Sequence, residues 1–493
     1  MIYSIHHFYS WVKGGVETGQ AYRARIFREM GLEAKFIFAT TFPDENIQHE
    51  TEYLGFLDSE VIWLYGYFTD CRLSPVTYTL ERLEESFGDR NFHFSREGTV
   101  AKYNFPDTGI SYSAYMADGA GDCVHRVMVF SNGNLIRKDY YTYCKIYSEY
   151  YAPVAGKASL YLRRFFNENG TAAYEEIIEG DLALYKFPDR ILYSREELAG
   201  YLMSCLHLTE DDVVLIDGEP GMIDRAAFIQ NSFPARVGFV LHSDHFLESD
   251  EEHILWYGIY EYALAHPEKI SFYITSTQAQ SDLLREQLQK YKGVEAVVLT
   301  IPVMGLDELK MPAEPRRRHS LISAGRLSKA KQMDWVIEAV VKAKEKIPDL
   351  SLDIYGEGAE RDNLCKLIDR RNCGGYVRLC GHQKLDEVYQ KYEAYISGSS
   401  FVETFGITML EAVGSGLALI SFDIRYGSRI FIDEGENGYR VPIGDEQKMA
   451  EGIVRLFTEA DREAFRRHSY EKAQLYLTGE VKRKWENVLC RTT

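Results

Sequence analysis

Several features that would place this chain outside the ordinary globular enzymes are scarce or missing. Among 493 residues there are 13 prolines, 5 tryptophans and 8 cysteines. The cysteines stand at 71, 123, 144, 205, 365, 373, 380 and 490, with no CxxC pair, so zinc-ribbon and thioredoxin spacings are absent. Cys373, Cys380 and His382 come near one another but match no zinc pattern. Buried free thiols in a reducing compartment are therefore expected. No run of eighteen apolar residues occurs, which argues against a membrane-spanning helix. Met1 to His7 has no basic flank and no long apolar run, so it does not read as a signal peptide. The expectation is a cytoplasmic protein with at most peripheral association at the inner face of the membrane. Positive charge is also short, 56 Lys+Arg against 74 Asp+Glu, a net charge of −18. That balance argues against a nucleic-acid partner, which would need the opposite field.

What is present is globular. Apolar residues make up 45% and charged residues 26%, which excludes bulk disorder. The length calls for two or three domains. Tyrosine is abundant, at 35 residues, and thirteen of these fall in residues 101–200.

The first forty residues read as strand, glycine loop, helix, strand: Met1 to His7, Lys13-Gly14-Gly15-Val16-Glu17, a helix from about Thr18 to Met30, and Lys35 to Thr40. From about residue 72 the period changes to alternating aromatic-rich runs. Turn strings such as Ser131-Asn132-Gly133-Asn134 and Asn167-Glu168-Asn169-Gly170 suit hairpins. This is a β-meander, and a one-sided sheet offers the half-buried positions that tyrosine favours. After Tyr193 short apolar strands alternate with helices again. A Pro-containing stretch at 302–319, with Arg316-Arg317-Arg318-His319, reads as a solvated linker before a second such series. The fold class is α/β: two doubly wound Rossmann-like domains facing a cleft, with an inserted antiparallel meander. The expected partition is 1–71 with 191–310, the insertion 72–190, a nucleotide-sugar domain 311–475, and a helix 476–493 crossing back to the first domain.

Three strings carry chemistry. Gly325-Arg326-Leu327-Ser328-Lys329-Ala330-Lys331 follows a strand and is expected to open a helix. A strand-to-helix turn aims backbone N–H groups at an anion, and Arg326 and Lys331 add two charges suited to a departing diphosphate. Taken alone it could equally be a surface turn with solvated bases. Tyr355-Gly356-Glu357-Gly358 ends the next strand, where glycine lets a ligand approach the backbone, although glycine commonly ends strands. The third string runs from Ser399 to Ala412 and places Glu403 in a loop and Glu411 in the following helix. Amides near Phe405, Gly406 and Ile407 would form that helix's N-terminal anion and hydroxyl site. An acidic turn that merely complements the helix dipole would account for Glu403 but not for its company.

In order and spacing, G-R-x4-K, Y-G-E-G and E-T-F-G-I-T-M-L-E resemble the retaining GT-B glycosyltransferases of the family-4 type, with their E-x7-E motif. The resemblance covers the whole chain. It is closer still to the accessory-secretion branch that modifies serine-rich-repeat adhesins, on strings such as Gly15-Val16-Glu17, Asn134 to Tyr140 and Ser148 to Pro153. That branch carries the β insertion as an add-on domain. The resemblance implies that Arg326 and Lys331 hold the nucleotide diphosphate and that Glu411 accepts from the ribose. Glu403, with Phe405, Gly406 and Ile407, would hold the transferred sugar. Gly14 and Gly15 would form a loop that reaches the diphosphate, and Tyr355, Gly356 and Gly358 would belong to the donor site. His242, at a strand end, matches the family's histidine near the sugar, while Leu241-His242-Ser243-Asp244-His245 departs in its middle and leaves Asp244 and His245 without roles. His382 reads equally as donor site or as structure.

The implied activity is transfer of GlcNAc or glucose from a UDP-sugar to Ser/Thr of a serine-rich-repeat adhesin, the first step of its O-glycosylation. No cofactor and no metal are expected, because no DxD loop occurs and the basic pair can supply the charge. The implied partners are UDP-GlcNAc or UDP-glucose, the adhesin acceptor and a GtfB-type non-catalytic subunit. Two other readings remain: a teichoic-acid or glycan α-glycosyltransferase, and a non-catalytic substrate-binding subunit.

Overall fold

Ile2-Tyr3-Ser4-Ile5-His6 forms the first strand, Ile2–His6, and every residue of it is buried. It shows little alternation because parallel strands flank it on both sides and neither face meets water. Val213–Gly218 pairs on one side, with Ile2 opposite Val213, and Ala34–Phe38 on the other. Val61–Trp63 continues this parallel set beyond Ala34–Phe38. The structure is a computed structural model that describes residues 1–6, 14–41, 46–117, 119, 121–218, 225–400 and 404–489. His7, Lys13, Glu403 and Cys490 lie outside the described residues. The chain divides into two compact units: Met1–Lys13, Phe27–Gly238 and Glu268–Ile270 in the first, and Gly14–Ile26, Phe239–Pro267 and Ser271–Thr493 in the second.

The first unit also holds a ten-stranded antiparallel sheet running from His93–Glu97 to Ile191–Leu192, in which sequence neighbours are sheet neighbours. Its tyrosines find their place through register. Tyr140 lies opposite Tyr147, Tyr147 opposite Phe165, and Phe165 opposite Tyr174. Their rings stack in one column, at centroid distances of 4.2, 5.4 and 4.5 Å. Such cross-strand aromatic pairs are the unit of sheet stabilisation. The column also ties the sheet to the parallel strands: Tyr65 stacks on Phe165, and the Tyr174 hydroxyl donates to the Tyr65 carbonyl at 2.7 Å.

Beside the aromatics on the same face runs a buried ionic row. Arg163 donates to Glu149 at 2.9 Å and to Glu176 at 2.8 Å. Tyr140 and Tyr151 donate to Glu149, and Tyr185 donates to Glu176. Burial pushes the Glu149 carboxyl up, but Tyr151, Arg163 and Tyr140 outweigh it and hold the group below its ordinary range. A helix that sequence periodicity had not marked, Leu80–Glu85, covers the other part of the sheet with Leu80 and Leu83, packed with Phe87, Tyr103 and Phe105.

In the second unit six parallel strands follow the order Val377–Gly381, Ser351–Tyr355, Ser320–Ala324, Ala394–Ser397, Ala418–Phe422, Gly438–Val441. Leu321 and Leu352 pack with helices Met333–Lys344 and Glu446–Thr458 on one face, and Ile322, Tyr395 and Leu419 with Ile407–Gly414 on the other. Helix Thr478–Leu489 meets the N-terminal helix Gly15–Glu29: the Tyr22 hydroxyl donates to Thr478 at 3.2 Å, and the Arg23 guanidinium lies over the Trp485 ring.

Three sequence expectations need correction. The first helix begins at Gly15 rather than Thr18, because both the amide and the hydroxyl of Thr18 bond the Gly14 carbonyl and close the first turn early. The run Arg316–His319 is no solvated linker: Arg316 donates to the carbonyls of Tyr392 and Ser415, and Arg317 joins Arg378 and Tyr392 around the buried Asp353 carboxylate. Among the described cysteines only Cys373 is buried, and Cys71 and Cys144 face each other with sulfurs 3.7 Å apart.

Candidate active site

The strands of the six-stranded sheet end on a common edge, and each candidate motif begins there. Ala324 leads to Gly325-Arg326, Tyr355 to Gly356, Gly381 to His382, and Ser397 to Ser399. In open α/β sheets this carboxyl edge is where ligands bind. The loops are laid backbone against backbone. The Gly325 amide donates to the Tyr355 carbonyl at 3.0 Å, Leu327 to Glu357 at 2.9 Å, and Gly356 to Gly381 at 2.8 Å. The glycines permit this approach. A Cβ on Gly356 would stand 1.9 Å from the Gly325 oxygen, and one on Gly358 2.3 Å from the Leu327 oxygen. In both places the side-chain direction is filled by a neighbouring loop.

The expected helix does not open directly from Gly325–Lys331. A short turn, Lys329–Lys331, comes first, then Gln332 at φ 42°, and the helix starts at Met333. Arg326 and Lys331 thus sit on irregular backbone ahead of the helix. Arg326 is exposed, and its Nη2 lies 2.9 Å from the point a Cβ on Gly14 would occupy. Glu17, buried and given no role of its own from the sequence, accepts the Gly14 amide at 2.9 Å and reaches within 2.5 Å of that same point. The Lys331 ammonium donates to the Ser399 hydroxyl at 3.2 Å. A Cβ on Gly15 would stand 3.6 Å from Ile407 Cδ1. The fold therefore gathers Gly14, Gly15, Arg326, Lys331 and Ile407 in one region.

Helix Ile407–Gly414 is entered through Gly406 at φ 86°, a left-handed conformation that favours glycine. Phe405 is buried beneath it. One turn on, Glu411 accepts the Tyr389 hydroxyl at 2.9 Å. Burial pushes its carboxyl up to about 7, against the lowering effect of Tyr389. Glu403 is outside the described residues. His382 is exposed beside Gly381, away from the strand interior.

His242 follows strand Arg236–Leu241. Its amide and that of Ser243 donate to the fully buried Tyr260 hydroxyl, at 3.0 and 2.8 Å. Its carbonyl accepts the Thr404 hydroxyl at 2.8 Å. His245 points inward to Gln287, and burial lowers its pKa to about 4, so the ring is neutral and structural. Tyr389, Ser399, Thr404, Arg425 and Tyr426 were not picked out as candidates from the sequence. Ser399 and Thr404 lie inside the Ser399–Ala412 string without a role of their own, and no local signal marks Tyr389, Arg425 or Tyr426.

Residues 308–474 match the family model for glycosyl transferases group 1, and residues 90–189 match the GtfA extended beta-sheet domain. With a basic loop, glycine turns and a helix N-terminus at the edge of a parallel sheet, the chain is a GT-B glycosyltransferase. Over 498 residues it is 42% identical to the GtfA subunit of the UDP-N-acetylglucosamine–peptide N-acetylglucosaminyltransferase of Streptococcus gordonii, covering 99% of this chain and 98% of that one. The chain belongs to the GtfA family. The crystal structure of the pneumococcal O-GlcNAc transferase GtfA with UDP and GlcNAc superimposes at TM-score 0.92 with 37% identity, covering 99% and 98% of the two chains. A chain in the GtfA/B complex matches at TM-score 0.92 with 41% identity, covering 99% of each. Among the described residues no helix is long and apolar enough to cross a membrane.

Proposed function

We propose that this enzyme transfers GlcNAc from UDP-GlcNAc to Ser or Thr hydroxyls of a serine-rich protein, with retention of configuration, together with a GtfB-type partner. The observation that carries this reading is the meeting of Arg326, Lys331 and the Gly14–Gly15 loop beside the N-terminus of helix Ile407–Gly414. GlcNAc is chosen over glucose because the pneumococcal relative was crystallised with UDP and GlcNAc. In the same-face mechanism the acceptor hydroxyl attacks the anomeric carbon on the side that the diphosphate leaves. The departing phosphate oxygen takes the hydroxyl proton. Arg326 and Lys331 hold the charge that develops on that oxygen, and fixed donors aimed at developing charge are the largest catalytic contribution a protein makes. In this reading Glu411 receives the ribose hydroxyls, Glu403 with the Phe405–Ile407 backbone holds the sugar, and His242 serves near it.

The basic pair supplies the neutralisation that a metal gives in other transferases, so the reading is metal-independent transfer in the cytoplasm. EDTA should leave the rate unchanged, and activity that EDTA abolishes and Mg²⁺ restores sinks this part. Strand His93–Glu97, exposed along its length at one edge of the meander, suits strand addition by a partner or an extended acceptor. Mass spectrometry of a serine-rich peptide incubated with the enzyme, its partner and UDP-GlcNAc or UDP-glucose tests the whole reading. An N-acetylhexosamine increment is the expected product. No increment, or faster transfer of glucose, refutes it.

A further inference from the structure

We infer that Asp244 is a positioning residue for transfer, clasping the loop that carries His242 to the segment Arg425–Gly427 beside Phe405. The inference rests on the function proposed above and gives a role to a residue the motif pattern left without one. Asp244 accepts the Arg425 guanidinium at 2.7 Å through one carboxylate oxygen. Its other oxygen accepts the Tyr426 hydroxyl at 3.1 Å and the His245 amide at 3.1 Å. Arg425 is steadied in turn over the Phe246 ring, 4.6 Å from its centroid. From beneath, Tyr260 holds the amides of His242 and Ser243.

A second tie runs parallel to the first, from the Thr404 hydroxyl to the His242 carbonyl. The third side of the junction is closed by Gly427, where a Cβ would stand 3.0 Å from the Phe405 oxygen. Three segments distant in sequence thus meet, and two of them carry candidate sugar-site residues, His242 and Phe405. The Asp244 carboxylate is 21% exposed and Arg425 44%, so the pair lies at a rim. Its energetic worth as an isolated ion pair is small. Its consequence is geometric, because a transfer site tolerates errors of only about 0.5 Å in its supporting groups. The polar partners that hold Asp244 are Arg425, Tyr426 and the His245 amide, on the segments that carry the candidate sugar-site residues. Loosening it should therefore spoil alignment of the sugar while leaving nucleotide binding intact.

The test uses the full chain with its partner and compares Asp244→Asn, Arg425→Ala and the double variant. Turnover is read with UDP-GlcNAc and a serine-rich peptide, and UDP affinity by titration calorimetry. Each single variant should lower kcat about tenfold with the UDP Kd held within about twofold. The double variant should be no slower than the worse single, since both remove one contact. Arg425→Lys should recover part of the loss. The inference is overturned if Asp244→Asn turns over within about twofold of wild type, or if the losses multiply. A parallel fall in UDP affinity and Tm overturns it too, because that is the signature of a merely structural role. A wild-type chain that transfers nothing refutes the functional reading instead.

Discussion

Gly356→Ala tests how far the site depends on two loops touching. Gly356 has φ 138°, a conformation open mainly to glycine, and a substitution there stores about 1–3 kcal/mol of backbone strain. The larger effect is steric. The new Cβ would stand 1.9 Å from the Gly325 oxygen and 2.9 Å from its carbon. A carbon–oxygen contact needs about 3.3 Å, so the loops must part by about 1.4 Å. Both neighbours are backbone held by the Gly325–Tyr355 and Leu327–Glu357 hydrogen bonds, so neither can swing aside as a side chain would. The displaced segment leads straight into Arg326. A misplacement of about 1 Å costs about a hundredfold in rate, and kcat/KM should fall by that order, with weaker UDP binding and a lower Tm. Gly375→Ala, where a Cβ meets nothing within 4 Å, is the control and should behave as wild type. Steady-state transfer to a serine-rich peptide and a thermal melt read the outcome. Gly356→Ala with kcat/KM within about threefold of wild type would falsify the loop-contact argument.

Arg326→Ala should lower kcat by about 10²–10³ with the melting profile unchanged, as expected for one lost donor to a developing charge; near-full turnover would exclude Arg326 from the diphosphate site. Because burial raises the Glu411 carboxyl to about 7, its protonated form is favoured in the folded chain. Stability tied to that group is complete below the unfolded carboxylate range and is lost as pH rises through about 7, so Glu411→Gln should raise Tm at pH 8 relative to wild type and not at pH 4. Ribose hydroxyls favour the carboxylate as acceptor, so UDP affinity should climb between pH 6 and 8 more steeply in wild type than in Glu411→Gln; equal slopes in calorimetry would remove Glu411 from the nucleotide site. Arg163→Ala leaves Glu149 and Glu176 buried without their cation and should destabilise the first unit by about 3–5 kcal/mol, seen as a lower denaturation midpoint in chemical denaturation. An unshifted transition would mean water replaces the guanidinium.

The meander shows how composition becomes structure. A count could assign thirteen tyrosines to one stretch and argue for a one-sided sheet. It could not say which face they occupy. Register decides that: Tyr140, Tyr147 and Tyr174 stack on the buried side because antiparallel pairing sets them across from one another or from Phe165. The column binds the sheet to Tyr65, so these tyrosines serve cohesion rather than an exposed docking surface.

Much of the architecture was legible because its signals are local. Short apolar runs bounded by glycine turns mark parallel strands, and Arg326, Lys331, Gly406 and Glu411 sit within strings whose spacing survives without knowledge of the path. The helix after Lys331 was misplaced because a left-handed Gln332 leaves no mark in composition. The sequence by itself determined the alternation of strands and helices in the second α/β series and the motifs at its strand ends. Tertiary structure alone decided that Gly14 meets Arg326, that Tyr389 caps Glu411, and that Asp244 reaches Arg425 across 181 positions. Hydrogen-bond partners and burial, and with them the Glu411 carboxyl near pH 7, depend on where the chain returns in space, which no local pattern encodes.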